Sequence, residues 1–422
     1  MNRYFLIPLL FILPHTSRSQ QAEDGRFESP RLSLLKNELK HGNRSALEQF
    51  WAETKGNAPL VEKFANDQGL LLVTFLRRGG SEISSVLLQG GPPVQSQKWL
   101  TRMADTDLWF RTDPIPQDAR FTYGYEVRTN QNIPIQVEAV SDVLNNHQFD
   151  GRSFIELPAA PAQRWIQRLR GVPEGKITLS KIQSKCLSAE RDIGVYTPAG
   201  YTSKGKPCNI LIIFDGQAYH ELMPVPVILD NLIAQGQIPP TIAIGIPNPT
   251  HEVRQRDLHC YDPFADFVAK ELIPWARKNY NISSDPRHAV VAGSSAGGLT
   301  AAFCAFRYPN IFGNVLSQSG SFWYAPGQRD SVPDYLQDRG WLTRQFVSTE
   351  RLPIRFFIET GRFEIQAQVF DHHRIRDVLE AMGYRVIYQE YNGGHDYFNW
   401  RGTFGDALIS LLGKTAKKAN PG

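Results

Sequence analysis

The feature that most constrains the fold of this chain is a regular alternation of apolar and helix-forming segments in its C-terminal half. From Ile177 onward, short apolar runs such as NILIIFDG, TIAIGIPN and HAVVAGSSAG alternate with helix-forming runs such as DPFADFVAKELIPWARKNY. A strand that is apolar along its whole length is buried on both faces, and strands joined through helices run parallel. The alternation therefore predicts an α/β fold with a mostly parallel sheet covered by helices on both faces.

Residues before Asp150 follow a different pattern. Between Pro30 and Lys55 apolar residues recur at helical spacing, and beyond Pro59 short runs rich in Val, Leu, Phe and Tyr are separated by Gly and Pro. Several short strands at this spacing are typical of an antiparallel β-sandwich. We expect a small β-sandwich domain of early-set or immunoglobulin-like type at 20–160 and the α/β domain at 161–422, with the crossing in the stretch from Asp150 to Glu174.

The first nineteen residues have the pattern of a cleaved secretory signal peptide. Arg3 precedes an apolar run from Tyr4 to Leu13, and a short polar stretch follows it. The run is about half of the ~20 residues that span a bilayer, so a membrane anchor is the less favoured alternative. We therefore expect a periplasmic protein without stable membrane insertion, or a cytoplasmic one if the segment is not cleaved.

The charge and the cysteines give no support to several classes of function. The chain has 46 basic and 42 acidic residues, a formal charge of +4, which is too small to suggest a nucleic-acid partner. Its four cysteines are too few for a disulfide scaffold, their spacing is not that of a zinc site, and their pairing stays open. They are Cys186, Cys208, Cys260 and Cys304. We expect no metal and no cofactor of the protein's own, and the oligomeric state stays open.

The segment Gly293-Ser294-Ser295-Ala296-Gly297 follows the apolar run AVVA and precedes a helix-forming run. A GxSxG motif between a strand and a helix is the nucleophile elbow of the α/β-hydrolase fold, in which glycines let the main chain and the helix approach closely. This context, more than the motif alone, predicts an α/β-hydrolase domain with Ser295 as its nucleophile. Ser294 does not occupy the central position of the motif.

A serine nucleophile needs a base and an acid, which follow it in this fold in the order Asp or Glu, then His. His395 follows the apolar strand RVIYQEY, on a loop at the sheet edge where Ser295 is expected. Glu364 follows the strand RFFIET at that edge and is the preferred acid, with Asp371 as the alternative. Asp396, next to the histidine, is predicted to cap the following helix.

Ester hydrolysis also needs two backbone N–H groups that stabilise the oxyanion of the tetrahedral intermediate. One is expected from Ala296, directly after the nucleophile. The other is expected from the loop after the strand ILIIF. Gln217 is the preferred donor in that loop, and Gly216 is the alternative.

Segments throughout the chain resemble one known family. In the C-terminal half they are FDGQAY, RQRDLHCYDPFADFVAKELIPW, VAGSSAGGLTAAFCAFRYPNIFGNVLSQSGSFWY, ETGRFE and GGHDYFNWR, and in the N-terminal half VTFLRRG, LLQGG, TDLWFRTDPIPQDARFTYGYEV and SDVLNNHQF. Both sets resemble the enterochelin (enterobactin) esterases, of the esterase D type, including that family's own N-terminal domain. The resemblance implies a serine esterase that opens the trilactone of ferric catecholate siderophores to release iron, with Ser295, Glu364 and His395 as the triad.

Such a substrate implies a site with guanidinium groups and aromatic rings. A ferric tris-catecholate complex carries a net charge of about −3 and flat rings, which Arg and aromatic side chains bind well. The expected substrate contacts are Arg254, Arg256, Trp323 and Tyr324. The alternative that Arg256 pairs with Asp257 or Glu252, and that Trp323 only packs locally, stays open.

Two other functions compete with this one. The chain could be a carboxylesterase for cinnamoyl or acetyl esters of polysaccharides, with a carbohydrate-binding N-terminal module. It could also be a siderophore-binding protein without catalysis, although a complete triad argues against that function. The three functions differ in the products expected from ferric enterobactin, a feruloyl ester and an acetylated sugar.

Overall fold

The computed structural model of the chain describes residues 27–93, 98–130, 140–327 and 339–413. The predicted signal peptide at 1–19 lies outside these ranges, as do the first residues of the predicted N-terminal domain. Within the described ranges, no helix has the length and apolar character needed to cross a membrane.

The N-terminal part consists of two helices followed by two four-stranded antiparallel sheets. The helices are α1 (Pro30–Lys40) and α2 (Ser45–Thr54), and the strands in chain order are β1 (Leu60–Lys63), β2 (Leu70–Arg78), β3 (Ile83–Gly90), β4 (Thr101–Arg102), β5 (Leu108–Pro116), β6 (Arg120–Thr129), β7 (Gln148–Phe149) and β8 (Arg152–Glu156). The spatial orders are β1-β2-β5-β4 and β3-β6-β8-β7. Side chains of both sheets share one buried cluster, in which the rings of Phe75 and Tyr123 lie 5.1 Å apart.

The C-terminal part is built around a mixed eight-stranded sheet. Its strands are β9 (Lys176–Ser184), β10 (Ala189–Thr197), β11 (Asn209–Phe214), β12 (Thr241–Ile246), β13 (Ala289–Ser294), β14 (Asn314–Gln318), β15 (Arg355–Gly361) and β16 (Arg385–Tyr391), in the spatial order β16-β15-β14-β13-β11-β12-β10-β9. Strands β11 to β16 are parallel, while β10 is antiparallel to both β9 and β12. The predicted mostly parallel sheet is confirmed, and β11, β13 and β14 are buried along their whole length.

Helices cover both faces of this sheet. They are α3 (Ala218–Glu221), α4 (Val225–Ala234), α5 (His251–Asp257), α6 (Asp262–Asp266), α7 (Ile273–Asn279), α8 (Ala296–Arg307), α9 (Trp341–Val347), α10 (Gln366–Ala381) and α11 (Tyr397–Leu412), with a π-helical segment at Phe267–Leu272 and a 3-10 turn at Pro286–His288. Successive residues of a strand point to opposite faces. Ile212 accordingly packs in the cluster that holds α6 to α10, and Ile213 in the cluster that holds α4 and α11.

An irregular link at 157–175 joins the two parts and packs on the C-terminal one. The amide of Asn231 in α4 donates to the carbonyl oxygens of Trp165 and Gln167 at 2.9 and 2.8 Å. The Trp165 indole N–H donates to Asp406 in α11 at 3.0 Å. Strand β8 still belongs to the N-terminal sheets. The passage from one part to the other, which was expected to begin at Asp150, therefore begins after Glu156. The domain limits 20–160 and 161–422 stay a prediction.

Candidate active site

Ser295 lies in the sharp turn between β13 and α8. Its backbone has φ +55° and ψ −124°, a conformation that is costly for a residue with a side chain. A Cβ added to Gly293 would lie 2.5 Å from the backbone of Gly297, so the turn requires glycine there. The Ser295 hydroxyl lies 3.5 Å from that of Ser321, a contact too long to hold it strongly. The chain therefore forms a strand, a strained turn and a helix with Ser295 at the turn.

Glu364 and His395 form a hydrogen-bonded pair on loops that follow β15 and β16. The Nδ1 atom of His395 lies 2.8 Å from Oε2 of Glu364. These two strands are parallel neighbours, so their following loops meet at the same edge of the sheet. Burial alone would raise the pKa of Glu364, but hydrogen bonds from His395, Ser319 and the Gly361 N–H outweigh it and lower the pKa. The carboxylate is therefore ionised and able to orient the histidine.

Asp371, the alternative acid, has other partners. It lies in α10, is 5 % exposed, and forms ion pairs with Arg339 at 2.5 Å and Arg374 at 2.8 Å. Its carboxylate is thus engaged by two guanidinium groups, whereas that of Glu364 contacts His395. The geometry favours Glu364.

The loop expected to supply the second oxyanion donor runs against β12. A Cβ added to Gly216 would lie 2.6 Å from the backbone of Gly245, which explains the glycine. The Gly216 N–H donates to the Ile246 carbonyl at 2.9 Å, so the expectation that Gly216 is an alternative donor is wrong. Gln217 remains the candidate donor of this loop, and Ala296, at the start of α8, remains the other candidate donor.

Ser295 and His395 line one pocket of about 380 Å³. Its walls come from both parts of the chain and comprise Thr122, Phe149, Asp150, Arg152, Arg254, Ser295, His395, Asp396, Tyr397 and Trp400. The His395 side chain is 39 % exposed and therefore accessible to a substrate. The N-terminal part thus forms one wall of the pocket that holds Ser295 and His395.

Asp396 links the histidine loop to the N-terminal part. One carboxylate oxygen accepts the Asn399 N–H at 2.9 Å, which confirms the predicted helix cap. The other accepts the backbone N–H of Thr122 at 3.2 Å and its hydroxyl at 3.1 Å. The backbone N–H of Arg120 also donates to the backbone carbonyl of Asn392 at 3.0 Å. Strand β6 therefore holds the loop that carries His395.

The two arginines expected at the substrate lie in different environments. Arg254 lines the pocket, and its guanidinium donates to both carboxylate oxygens of Asp215 at 2.7 and 2.8 Å. Arg256 pairs with Asp257 at 2.8 Å, lies over the ring of Tyr261 and is not among the described pocket residues. Residues two apart on a helix point in nearly opposite directions. The structure therefore favours the alternative, the Asp257 pair, over a substrate contact by Arg256.

Trp323 and Tyr324 are not among the described residues that line this pocket. The Tyr324 ring packs against the imidazole of His259 at 4.9 Å between centroids. The Trp323 carbonyl accepts the N–H of Gly340 at 3.1 Å. The segment after β14 thus contacts the residues that precede α6 and α9, and the roles of Trp323 and Tyr324 as substrate contacts stay a prediction.

Sequence reasoning missed the pocket residues of the N-terminal part. Asp150 and Gly151 have φ angles of +49° and +69°, and Phe149 is paired with Arg152 across them. An Asp-Gly pair between two strands is a strong signal for a tight hairpin. This signal was available in the sequence, although it could not show that the hairpin faces Ser295.

Glu359 is a second buried carboxyl near Glu364 and does not contact His395. Its Oε1 accepts the Gln318 amide at 2.7 Å and the Thr403 hydroxyl at 2.6 Å. Its Oε2 has no hydrogen-bond partner among the described residues. Burial raises the pKa of Glu359 from 4.5 to about 7.

We expect Glu359 to make the protein less stable as the pH rises. Because its pKa is raised on folding, its favourable contribution is complete below pH 4.5, falls towards pH 7 and is lost above that value. At about 1.4 kcal/mol for each pH unit, the loss is on the order of 3 kcal/mol. Urea denaturation of both proteins should be carried out at pH 4.5 and at pH 8. The free energy of unfolding of Glu359→Gln, relative to that of the wild type, should be higher at pH 8 than at pH 4.5 by this amount. An unchanged difference at the two pH values would contradict the prediction.

In the described ranges, the residue types that bind metals do not cluster. No three His, Cys, Asp or Glu side chains of these ranges are placed to hold one ion. The four cysteines are all free thiols, and Cys208 and Cys304 are buried. The disulfide pairing that the sequence left open is therefore not formed in this structure.

The chain matches known proteins over most of its length. Residues 184–411 match the family model named Esterase. The iron(III) enterobactin esterase of Dickeya dadantii strain 3937 is 30% identical over 86% of this chain and 93% of its own length. The chain belongs to the enterochelin esterase family. The resemblance seen in the sequence is confirmed, and this enterochelin esterase family member is a carboxylic ester hydrolase.

Solved structures of enterochelin esterases share the fold. The ferric enterobactin esterase of Salmonella typhimurium is 25% identical, with a TM-score of 0.70 over 86% of this chain and 98% of that one. An enterobactin esterase of Shigella flexneri, crystallised in the presence of 2,3-dihydroxy-N-benzoyl-serine, is also 25% identical, with a TM-score of 0.66 over the same shares. The predicted α/β esterase fold is confirmed.

Proposed function

We propose that this member of the enterochelin esterase family hydrolyses the trilactone ester bonds of ferric enterobactin-type catecholate siderophores and so releases their iron. The observation that carries the proposal is the hydrogen bond that Glu364 forms with His395, whose side chain lines the pocket that also holds Ser295. The name of the Dickeya dadantii relative, iron(III) enterobactin esterase, supports the substrate.

The proposed chemistry proceeds through an acyl-enzyme. The Ser295 hydroxyl attacks the ester carbonyl while Nε2 of His395 accepts its proton, and Glu364 stabilises the resulting imidazolium through Nδ1. The backbone N–H groups of Gln217 and Ala296 stabilise the oxyanion. His395 then protonates the departing alcohol oxygen, and the acyl group stays on Ser295. A water molecule then attacks the acyl carbonyl while His395 accepts its proton, and His395 passes that proton to the Ser295 oxygen as the carboxylic acid leaves.

Mass analysis of products tests this function against its competitors. The purified chain is incubated with ferric enterobactin, a feruloyl ester and an acetylated sugar. We expect dihydroxybenzoyl-serine fragments from the siderophore and much slower release of ferulate or acetate. Rapid cleavage of the feruloyl ester with an intact siderophore would favour the polysaccharide esterase. An intact siderophore that nevertheless binds would favour the binding protein.

Arg254 and Arg256 provide a matched pair of variants. Arg254 holds the buried carboxylate of Asp215, next to the loop that carries Gln217. Arg254→Ala should therefore lower kcat/KM about 10-fold for the siderophore and for p-nitrophenyl acetate, since it unpairs a buried charge beside the oxyanion loop. Arg256→Ala should be nearly silent, because Asp257 keeps its bond to Arg191. A selective rise in KM for the siderophore in Arg256→Ala would restore Arg256 as a substrate contact.

The N-terminal sheets are proposed to form the β-sandwich domain expected from the sequence. Two four-stranded antiparallel sheets with a shared buried cluster support this assignment. The contact of Thr122 with Asp396 gives the domain a role in the site as well.

Export to the periplasm is proposed from the apolar run at 4–13 and the residues around it. Expression of the full chain in a Gram-negative host should place the enzyme in the periplasmic fraction, with a mass that corresponds to loss of residues 1–19 or a closely similar segment. A full-length chain in the cytoplasmic fraction would contradict the proposal.

A further inference from the structure

The hairpin at 149–152 places an aromatic ring and a guanidinium side by side in the pocket wall. Phe149 ends β7, Arg152 begins β8, and the two are directly paired across Asp150 and Gly151. Directly paired residues of antiparallel strands lie on the same face of the sheet. Both side chains line the pocket that holds Ser295 and His395.

Arg152 differs from Arg254, the other guanidinium of this pocket, in its partners. Arg254 is neutralised by two bonds to Asp215. Among the described residues, Arg152 forms no ion pair: one nitrogen lies 3.4 Å from the Gln89 carbonyl, and its buried Nε has no hydrogen-bond partner. A cation without an ion-pair partner gains more from an anionic ligand than one that is already paired.

Among the described residues, the acidic residues of the pocket form no ion pair with Arg152. Asp396 is occupied by bonds from Thr122 and Asn399. Asp150 is exposed at the tip of the hairpin and forms no ion pair within the described ranges. The guanidinium of Arg152 is therefore not neutralised by an ion pair with a described residue, in the wall of the pocket that holds Ser295.

Phe149 is held in place by its neighbours. Its ring packs on that of Phe398, with 5.3 Å between centroids, and the guanidinium of Arg401 lies 4.7 Å from its centre. The side chain is only partly buried, so part of the ring faces the pocket. The hairpin thus offers a fixed aromatic surface next to a guanidinium that forms no ion pair with a described residue.

We propose that the 149–152 hairpin recognises the aryl groups of the substrate, with Arg152 bound to catecholate oxygens and Phe149 in contact with the ring. This inference rests on the proposed function and assigns substrate recognition to the N-terminal part. A planar guanidinium donates two parallel N–H bonds to paired anionic oxygens. A ferric catecholate presents such oxygens, whereas the catechols of the iron-free siderophore are largely protonated at neutral pH.

Steady-state kinetics of Arg152→Gln test the inference with three substrates: ferric enterobactin, iron-free enterobactin and p-nitrophenyl acetate. We expect KM for the ferric complex to rise about 10-fold or more, and KM for the iron-free form to rise less. The ratio of kcat/KM for the ferric complex to that for the neutral ester should fall accordingly. The wild-type KM for the ferric complex should rise from low to physiological salt, and this dependence should weaken in the variant. Arg152→Lys should recover part of the loss.

Two further variants complete the test. Arg128→Gln, on neighbouring strand β6, is the matched control, because Arg128 is 52 % exposed and paired with Glu126; its kinetics should equal the wild type. Phe149→Leu should raise KM for both siderophore forms, since ring contact does not depend on the iron.

The outcomes separate this inference from the proposed function. An Arg152→Gln variant that retains the wild-type KM for a siderophore it hydrolyses, or that loses activity equally on all three substrates, would overturn the role of the hairpin alone. A wild-type enzyme that hydrolyses p-nitrophenyl acetate but neither siderophore form would overturn the proposed function, and the inference with it.

Discussion

Replacement of Ser295 by alanine is expected to lower kcat/KM by about 10³-fold or more for both ferric enterobactin and p-nitrophenyl acetate. The reason is that no other described hydroxyl occupies the turn between β13 and α8, so the acyl-enzyme cannot form. The change removes one oxygen from a pocket-lining side chain, and the protein should keep its unfolding temperature. Binding of the ferric siderophore, measured by quenching of tryptophan fluorescence, should persist.

Ser294→Ala is the matched control for this experiment. Ser294 precedes the nucleophile, is fully buried and does not line the described pocket. Its variant should retain most of the activity. If Ser295→Ala kept more than about a hundredth of the wild-type rate, the assignment of the nucleophile would be wrong, because loss of a triad member typically costs far more.

The second large effect is expected for the acid. Glu364→Gln should lower kcat by ~10²-fold to 10⁴-fold with little change in KM, because a neutral amide can neither fix the histidine tautomer nor stabilise the imidazolium. The substitution keeps the size of a side chain that is 4 % exposed, so the fold should survive. Single-turnover measurements with p-nitrophenyl acetate would locate the loss in the acylation step.

Asp371→Asn is the control for the acid. Asp371 pairs with Arg339 and Arg374, so its substitution should affect the unfolding temperature more than kcat. A large fall in kcat for Asp371→Asn, together with a mild effect of Glu364→Gln, would transfer the role of the acid to Asp371.

Elements with a local cause were predictable from the sequence. The parallel strands are continuous apolar runs. The glycines of 293–297 are needed because the backbone on the two sides of the turn approaches too closely for a side chain, and this contact lies within five residues. His395 could be placed because it directly follows a strand whose end lies at a known edge of the sheet. Asp396 was predictable as a cap because capping depends on the next three residues alone.

The sequence was less able to decide between candidate residues that lie close together in the chain. Glu364 and Asp371 both follow β15, and only their hydrogen-bond partners distinguish them. Arg254 and Arg256 share a helix of seven residues, and the direction in which each side chain points decides which one meets the pocket. The donor role suggested for Gly216 failed because its N–H is taken by the neighbouring strand.

The sequence by itself determined the α/β sheet and the glycine-rich turn at Ser295, since both follow from residue type and spacing over short stretches. Only the tertiary structure decided that the N-terminal sheets complete the pocket. Thr122 and Asp396 are 274 positions apart, and no local pattern encodes their hydrogen bond. They meet because β6 packs on the histidine loop, and the same packing places Arg152 in the wall of the pocket that holds Ser295.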